Sequence, residues 1–173
     1  MDEGLSFPDN FMALFGFHRV KEKRMNIKLE AALYKKYPKI FRQRKLPMTE
    51  TCMCWGISCG DGWYKIIDDL CADIQVFCDQ NKCQIEATQV KEKFGTLRFY
   101  TGASCDSVED MIEEACKLSA KTCEHCGSTA KDAKLRGKCW LSTSCKKCWD
   151  IKNQPNTEVK EYETKAKAIK RKK

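Results

Sequence analysis

Two pairs of cysteines constrain this chain more than any other feature. Cys123-Glu-His-Cys126-Gly127 and Cys145-Lys-Lys-Cys148 are separated by an 18-residue spacer, a C-x2-C…C-x2-C pattern with the spacing of a structural zinc site. Two thiolates three positions apart grip one ion from a tight turn, and Gly127 relieves the backbone just after the first pair. A module this short has almost no apolar core, so a metal must do what burial cannot. Lys131, Lys134, Arg136, Lys138, Lys146 and Lys147 lie nearby and would offset the negative charge of a tetrathiolate. The competing readings are a redox C-x-x-C, for which the flanking sequence lacks a thioredoxin-like βαβ unit, and cysteines that are simply buried. Cys139 and His125 are reserve ligands. One Zn2+ held by Cys123, Cys126, Cys145 and Cys148 would be structural, because four protein ligands leave no open position for water.

The chain has 13 cysteines, an odd number that forbids a fully paired disulfide framework within one chain. No stretch approaches the ~18 apolar residues of a membrane span. The run Phe11 to Phe17 is short, with no basic residue before it, so it does not read as a signal peptide. The expectation is a reduced, non-secreted, non-membrane protein, in which other cysteines pack as small apolar groups. Cys71, Cys78 and Cys116 fall on helical stripes and fit that role. Cys52, Cys54 and Cys59 form a C-x-C-x4-C cluster close to Asp61, which can be read as half of a second metal site. No well-spaced second pair accompanies it, although Cys83 or Cys105 could approach in space.

The rest of the chain predicts an α+β fold. Ile27 to Phe41 has helical spacing that Pro38 should end. Thr51 to Ile57 is a candidate strand weakened by Gly56. Trp63, Ile66, Ile67, Leu70, Cys71, Ile74, Phe77 and Cys78 mark an amphipathic helix with Asp61 at the N-cap position. Around Lys91 to Tyr100 the period falls to two, with Gly95 at a turn: a β-hairpin with Leu97 and Phe99 on one face and Arg98 and Tyr100 on the other. A further helix carries Val108, Met111, Ile112, Ala115 and Cys116, capped by Asp106 or Ser107. The predicted architecture is a small antiparallel sheet, the hairpin plus a possible extra strand, packed by two to three helices, with a C-terminal zinc-ribbon-like module.

The net charge of +8 is unevenly spread. Residues 1–47 read as a basic N-terminal arm and helix, 48–122 as an acidic α+β core, 123–149 as the basic zinc-binding module and 150–173 as a basic tail of flexible composition.

Tyr37-Pro-Lys-Ile-Phe41, Cys54-Trp-Gly-Ile-Ser-Cys-Gly-Asp-Gly-Trp-Tyr64, Val90 to Tyr100 and Thr122-Cys-Glu-His-Cys-Gly127 occur in that order. Together they resemble a family of small proteins from tailed phages and prophages, over roughly residues 30–149. Family members often have a long insertion where this chain has only Lys82 and Cys83 between Asn81 and Gln84. Their second knuckle tends to end in His where this chain has Cys148, still a metal ligand. The resemblance implies a viral protein of the host cytoplasm or virion, and brings no activity with it.

Three classes of function compete. Nucleic-acid binding is suggested by Arg19, Lys21, Lys23, Arg24, Lys35, Lys36, Lys39, Arg42, Arg44 and Lys45, interleaved with Tyr34, Tyr37 and Phe41. Basic side chains gain by releasing phosphate counterions, and aromatic rings stack on bases. The same arms suit an interaction or virion-structural protein docking on an acidic protein surface, and a phage-encoded inhibitor of host defence would need no active site. Catalysis has the least support: only His18 and His125 exist, and no phosphate-binding loop is present. Its one candidate constellation is Asp61 with Lys91, Lys93, Arg98 and Tyr100. The bland readings are a capping Asp, a solvated hairpin face and solubilising charge.

Overall fold

In a computed structural model, the protein is described over residues 24–138 and 141–153; Arg19, Lys21, Lys23, Cys139 and the lysine tail lie outside the described residues. Four helices and two small sheets occur in the order α1 (Ile27–Lys36), β1 (Ile57–Ser58), α2 (Tyr64–Asn81), β2 (Ala87–Lys93), β3 (Thr96–Thr101), α3 (Asp106–Ser119), β4 (Lys134–Arg136), β5 (Ser142–Ser144) and α4 (Lys146–Lys152). The fold is α+β, as the periodicity predicts. β2 and β3 form the antiparallel hairpin, and both loop residues, Phe94 and Gly95, have positive φ, as a type I′ turn demands. The extra strand is shorter than the Thr51–Ile57 stretch suggested, and it joins β2 in parallel, so the sheet is mixed. Cys52–Trp55 instead winds into a 3-10 turn capped by the Thr51 hydroxyl, and Gly56 at φ +75° redirects the chain into β1.

One apolar core joins these elements. Ile66, Ile67, Leu70, Cys71, Ile74 and Cys78 of α2 meet Val90, Leu97 and Phe99 of the sheet and Val108 and Ala115 of α3. The segment read as an arm contributes to the same core from Met25 onward: Leu33, Tyr37, Ile40 and Phe41 are all buried. The lone buried acid of α1, Glu30, accepts the Ile57 N–H (2.7 Å) and the Tyr34 hydroxyl (2.8 Å), tying the helix to β1.

Two expected caps act otherwise. Asp61 lies in a 3-10 turn leading into α2, and its carboxylate accepts the Asn26 N–H (2.6 Å) instead of capping the helix. Cys105 holds the cap position of α3, with Asp106 and Glu109 in the first turn, where they complement the helix dipole.

A pH-sensitive contact fastens α1 to α2. The Asp68 carboxylate accepts the Lys36 ammonium (2.8 Å) and the Tyr37 hydroxyl (3.0 Å). Burial opposes its charged form, but those two hydrogen bonds outweigh burial and hold the carboxyl below its ordinary value. Stability from a depressed carboxylate is complete above its unfolded pKa, about 4, and drains away as pH falls through the folded value. Asp68→Asn is therefore expected to lower stability at neutral pH and to flatten the acid limb. Urea titrations across that limb measure both; equal slopes for the two proteins would contradict the contact's role.

Candidate metal centre

The Sγ atoms of Cys123, Cys126, Cys145 and Cys148 all lie within 4.8 Å of one another. The Cys126–Cys145 separation of 3.8 Å is far beyond a disulfide bond. It matches the edge, about 3.8 Å, of a tetrahedron whose metal–sulfur bonds are ~2.3 Å. Among the described residues this is the one cluster of three or more His, Cys, Asp or Glu side chains placed to hold a metal ion.

Local structure explains the gathering. Cys123–Cys126 closes a tight turn, with the Gly127 N–H donating to the Cys123 carbonyl (2.9 Å) and Gly127 at φ +74°. Cys145 caps α4, its sulfur accepting the Cys148 N–H at 3.5 Å. The β4–β5 hairpin spans the two knuckles, and Arg136 ties it by donating to the Ser144 and Asp132 carbonyls, both at 2.9 Å. Burial raises the Cys123 thiol, but backbone N–H groups of Cys145, Cys126 and His125 outweigh it and set the group at about 7. Burial and neighbouring thiols push Cys126 and Cys148 up. A cation at the centre of the quartet would favour the thiolate forms. An ion held by all four would have only protein ligands, the arrangement of structural sites.

The knuckle is seated on the core through a residue with no expected role. Glu124, between the first two cysteines, is fully buried. Its carboxylate accepts the Gly60 N–H (3.2 Å) and the Ser142 hydroxyl (3.0 Å). Its carbonyl accepts the Gly62 N–H (2.8 Å), and its own N–H donates to the Thr143 carbonyl (2.9 Å). Beside it, the indole N–H of buried Trp63 donates to the Thr122 carbonyl (3.0 Å), and the Thr143 hydroxyl donates to the Gly95 carbonyl (2.6 Å). The Gly60-Asp61-Gly62-Trp63 loop is therefore the seat of the metal knuckle. The available signal was the pair of glycines flanking one residue, which marks a close backbone approach.

The other expected site residues are not assembled into a site. Cys59 is buried in the core, Cys54 donates its thiol to the Thr51 carbonyl (3.1 Å), and Cys52 is exposed; with Asp61 engaged by Asn26, this cluster does not gather around a common point. Cys71 and Cys78 are buried, and burial pushes both thiols up, as suits inert packing; Cys116 is half-buried against the Arg98 guanidinium (3.1 Å). Of the constellation read around Asp61, Asp61 accepts the Asn26 N–H, Arg98 donates to Thr96, Leu97 and Cys116, and Lys91 lies against the Tyr100 ring.

Among the basic residues, Lys36 pairs with Asp68, Arg42 with Glu86 (2.7 Å), and Arg44 lies 5.0 Å over the Tyr34 ring. Arg24, Lys35, Lys39 and Lys45 are exposed. Tyr37 and Phe41 are buried, so their rings are not available to stack on bases; that expectation is corrected by the packing. No helix among the described residues is long and apolar enough to cross a membrane.

Fold and site together define an α+β protein with a cluster of four cysteines that could hold a metal ion, joined to its core. The chain matches no family model, no curated protein and no solved structure.

Proposed function

We propose that this is a zinc protein whose metal has a structural role and whose function is non-catalytic binding of nucleic acid. Zinc is the ion that four thiolates with tetrahedral spacing suit best in a site without open positions. The observation that carries the binding reading is the charge left facing solvent around a closed centre: Lys131, Lys134, Lys138 and Lys147 of the module are exposed, as are Lys35, Lys39 and Lys45. Such a surface attracts a polyanion by counterion release, with no demand for catalysis. The likeness to phage proteins supports a viral setting, in the host cytoplasm or the particle.

The test is retention of the full chain on DNA and RNA as a function of salt. Replacing Lys35, Lys39 and Lys45 together by Gln is expected to lower the log–log salt slope by about 2–3. Indifference to both nucleic acids at low salt, with co-purification in particles, would instead place the protein among virion structural components.

A further inference from the structure

The sheet has a second face that the core does not use. In the hairpin register, Val90, Leu97 and Phe99 point into the core, which leaves Gln89, Lys91 and Tyr100 on the opposite side. The chain leading to the Cys52–Trp55 turn passes beside that face and is pinned there by the Thr51 hydroxyl donating to the Thr88 carbonyl (3.2 Å). Between them lies a cleft of about 530 Å³, lined by Met48 to Cys52 on one side and by Thr88, Gln89, Lys91, Tyr100 and Thr101 on the other.

The chemistry of this cleft is specific. Tyr100 is 41% exposed, so its ring is open to a ligand in the cleft. The Lys91 ammonium sits 5.7 Å from the centre of that ring. Hydroxyls of Thr49, Thr88 and Thr101 and the Gln89 amide offer donors and acceptors, and Glu50 is the one carboxylate in the lining. The basic Arg42–Lys45 turn packs against both β2 and the Cys52–Trp55 turn. Gln43 in that turn reaches Glu86 (3.2 Å). The turn therefore lies against the strand that carries Gln89 and Lys91, although the two are far apart in sequence.

We propose that this cleft binds a base of single-stranded nucleic acid: Tyr100 is the stacking platform, the Gln89 amide and threonine hydroxyls meet the base edge, and Lys91 meets a flanking phosphate. An exposed ring beside basic side chains on a sheet is the arrangement by which proteins take up unpaired bases, since every base has a face to stack. A duplex keeps its bases stacked internally and has none to offer. This inference rests on the nucleic-acid reading above and gives it a location and a strand preference.

The experiment is fluorescence anisotropy of the full zinc-loaded chain with a labelled oligothymidylate and an oligouridylate of about 12 nucleotides. A duplex of equal length is measured alongside. Wild type is expected to prefer the single strands. Tyr100→Ala is expected to weaken single-strand binding about 5- to 100-fold, a loss typical of one stacked base, while Tyr100→Phe restores it. Lys91→Gln is expected to lower the salt slope by about 1. Tyr100→Ala lies on the surface; zinc content and circular dichroism equal to wild type establish that its loss is local. Three results would overturn the inference: Tyr100→Ala binding as wild type does, equal affinity for duplex and single strand, or polyglutamate competing as well as the oligonucleotide. If the Lys35, Lys39 and Lys45 variant still loses binding in those cases, the general nucleic-acid reading stands. If wild type binds no nucleic acid at all, both fall.

Discussion

Stripping the metal with a chelator, or replacing Cys145 by Ser, is expected to unfold the β4–β5 module and leave the α+β core standing. The module's two strands have three residues each, and its buried residues are two cysteines, Cys123 and Cys145, with the polar Glu124, Ser142, Thr143 and Ser144. The apolar core cluster, from Met25 to Ala115, includes none of them. Apparent binding free energies of structural zinc run to about 10–16 kcal/mol, far more than a hairpin this small obtains from burial. What links the two parts is polar: the Glu124, Trp63 and Thr143 hydrogen bonds. Hydrogen exchange reads the result directly. Protection of the Glu124 and Gly62 amides should vanish on chelation, while that of α2 persists. Simultaneous loss of protection in α2 would show that the core depends on the metal too.

Gly62→Ala is expected to be the most damaging single substitution outside the ligands. A methyl group there would overlap the Cys123 carbonyl oxygen and the Gly127 nitrogen, and would come within 2.8 Å of the Glu124 carbonyl carbon. These are backbone atoms of the metal knuckle, which cannot swing aside as a side chain does. Relief requires the knuckle to lift from its seat, breaking the Gly62–Glu124 hydrogen bond and displacing Cys123. The expected cost is about 3 kcal/mol or more, with weaker metal retention. Gly102→Ala is the matched control, because its added carbon would meet the Thr88 methyl at 3.5 Å and the Gln43 amide at 3.7 Å, ordinary contact distances. Thermal melts and competition with a chromogenic chelator measure both effects. A Gly62→Ala protein as stable and as metal-retentive as the Gly102→Ala control would refute the seat.

The features readable in advance share one property: the residues that define them are close in sequence. The stripe from Trp63 to Cys78 indicates α2 because burial repeats each turn, and Leu97 and Phe99 indicate the hairpin because faces alternate. The four metal-binding cysteines come as local pairs, so spacing alone exposes them. Misreadings arose where a distant partner intervened. Asp61 has the chemistry of an N-cap, but the Asn26 N–H reaches it first. Tyr37 and Phe41 sit among lysines like stacking residues, yet Pro38 ends α1 and the following turn folds both rings into the core. Cys52, Cys54 and Cys59 are close along the chain, but among the described residues the group placed to hold a metal is Cys123, Cys126, Cys145 and Cys148.

Periodicity and cysteine spacing were enough to indicate an α+β chain with a four-cysteine cluster, because helix, hairpin and knuckle are each set by interactions within a few residues. Tertiary structure decided the rest. It set β1 parallel to β2, seated the four-cysteine knuckle on Gly60 and Gly62 through Glu124, and packed the Arg42–Lys45 turn against β2. Each of these depends on contacts between segments that no local pattern relates, made only when the apolar core closes and fixes where every loop must lie.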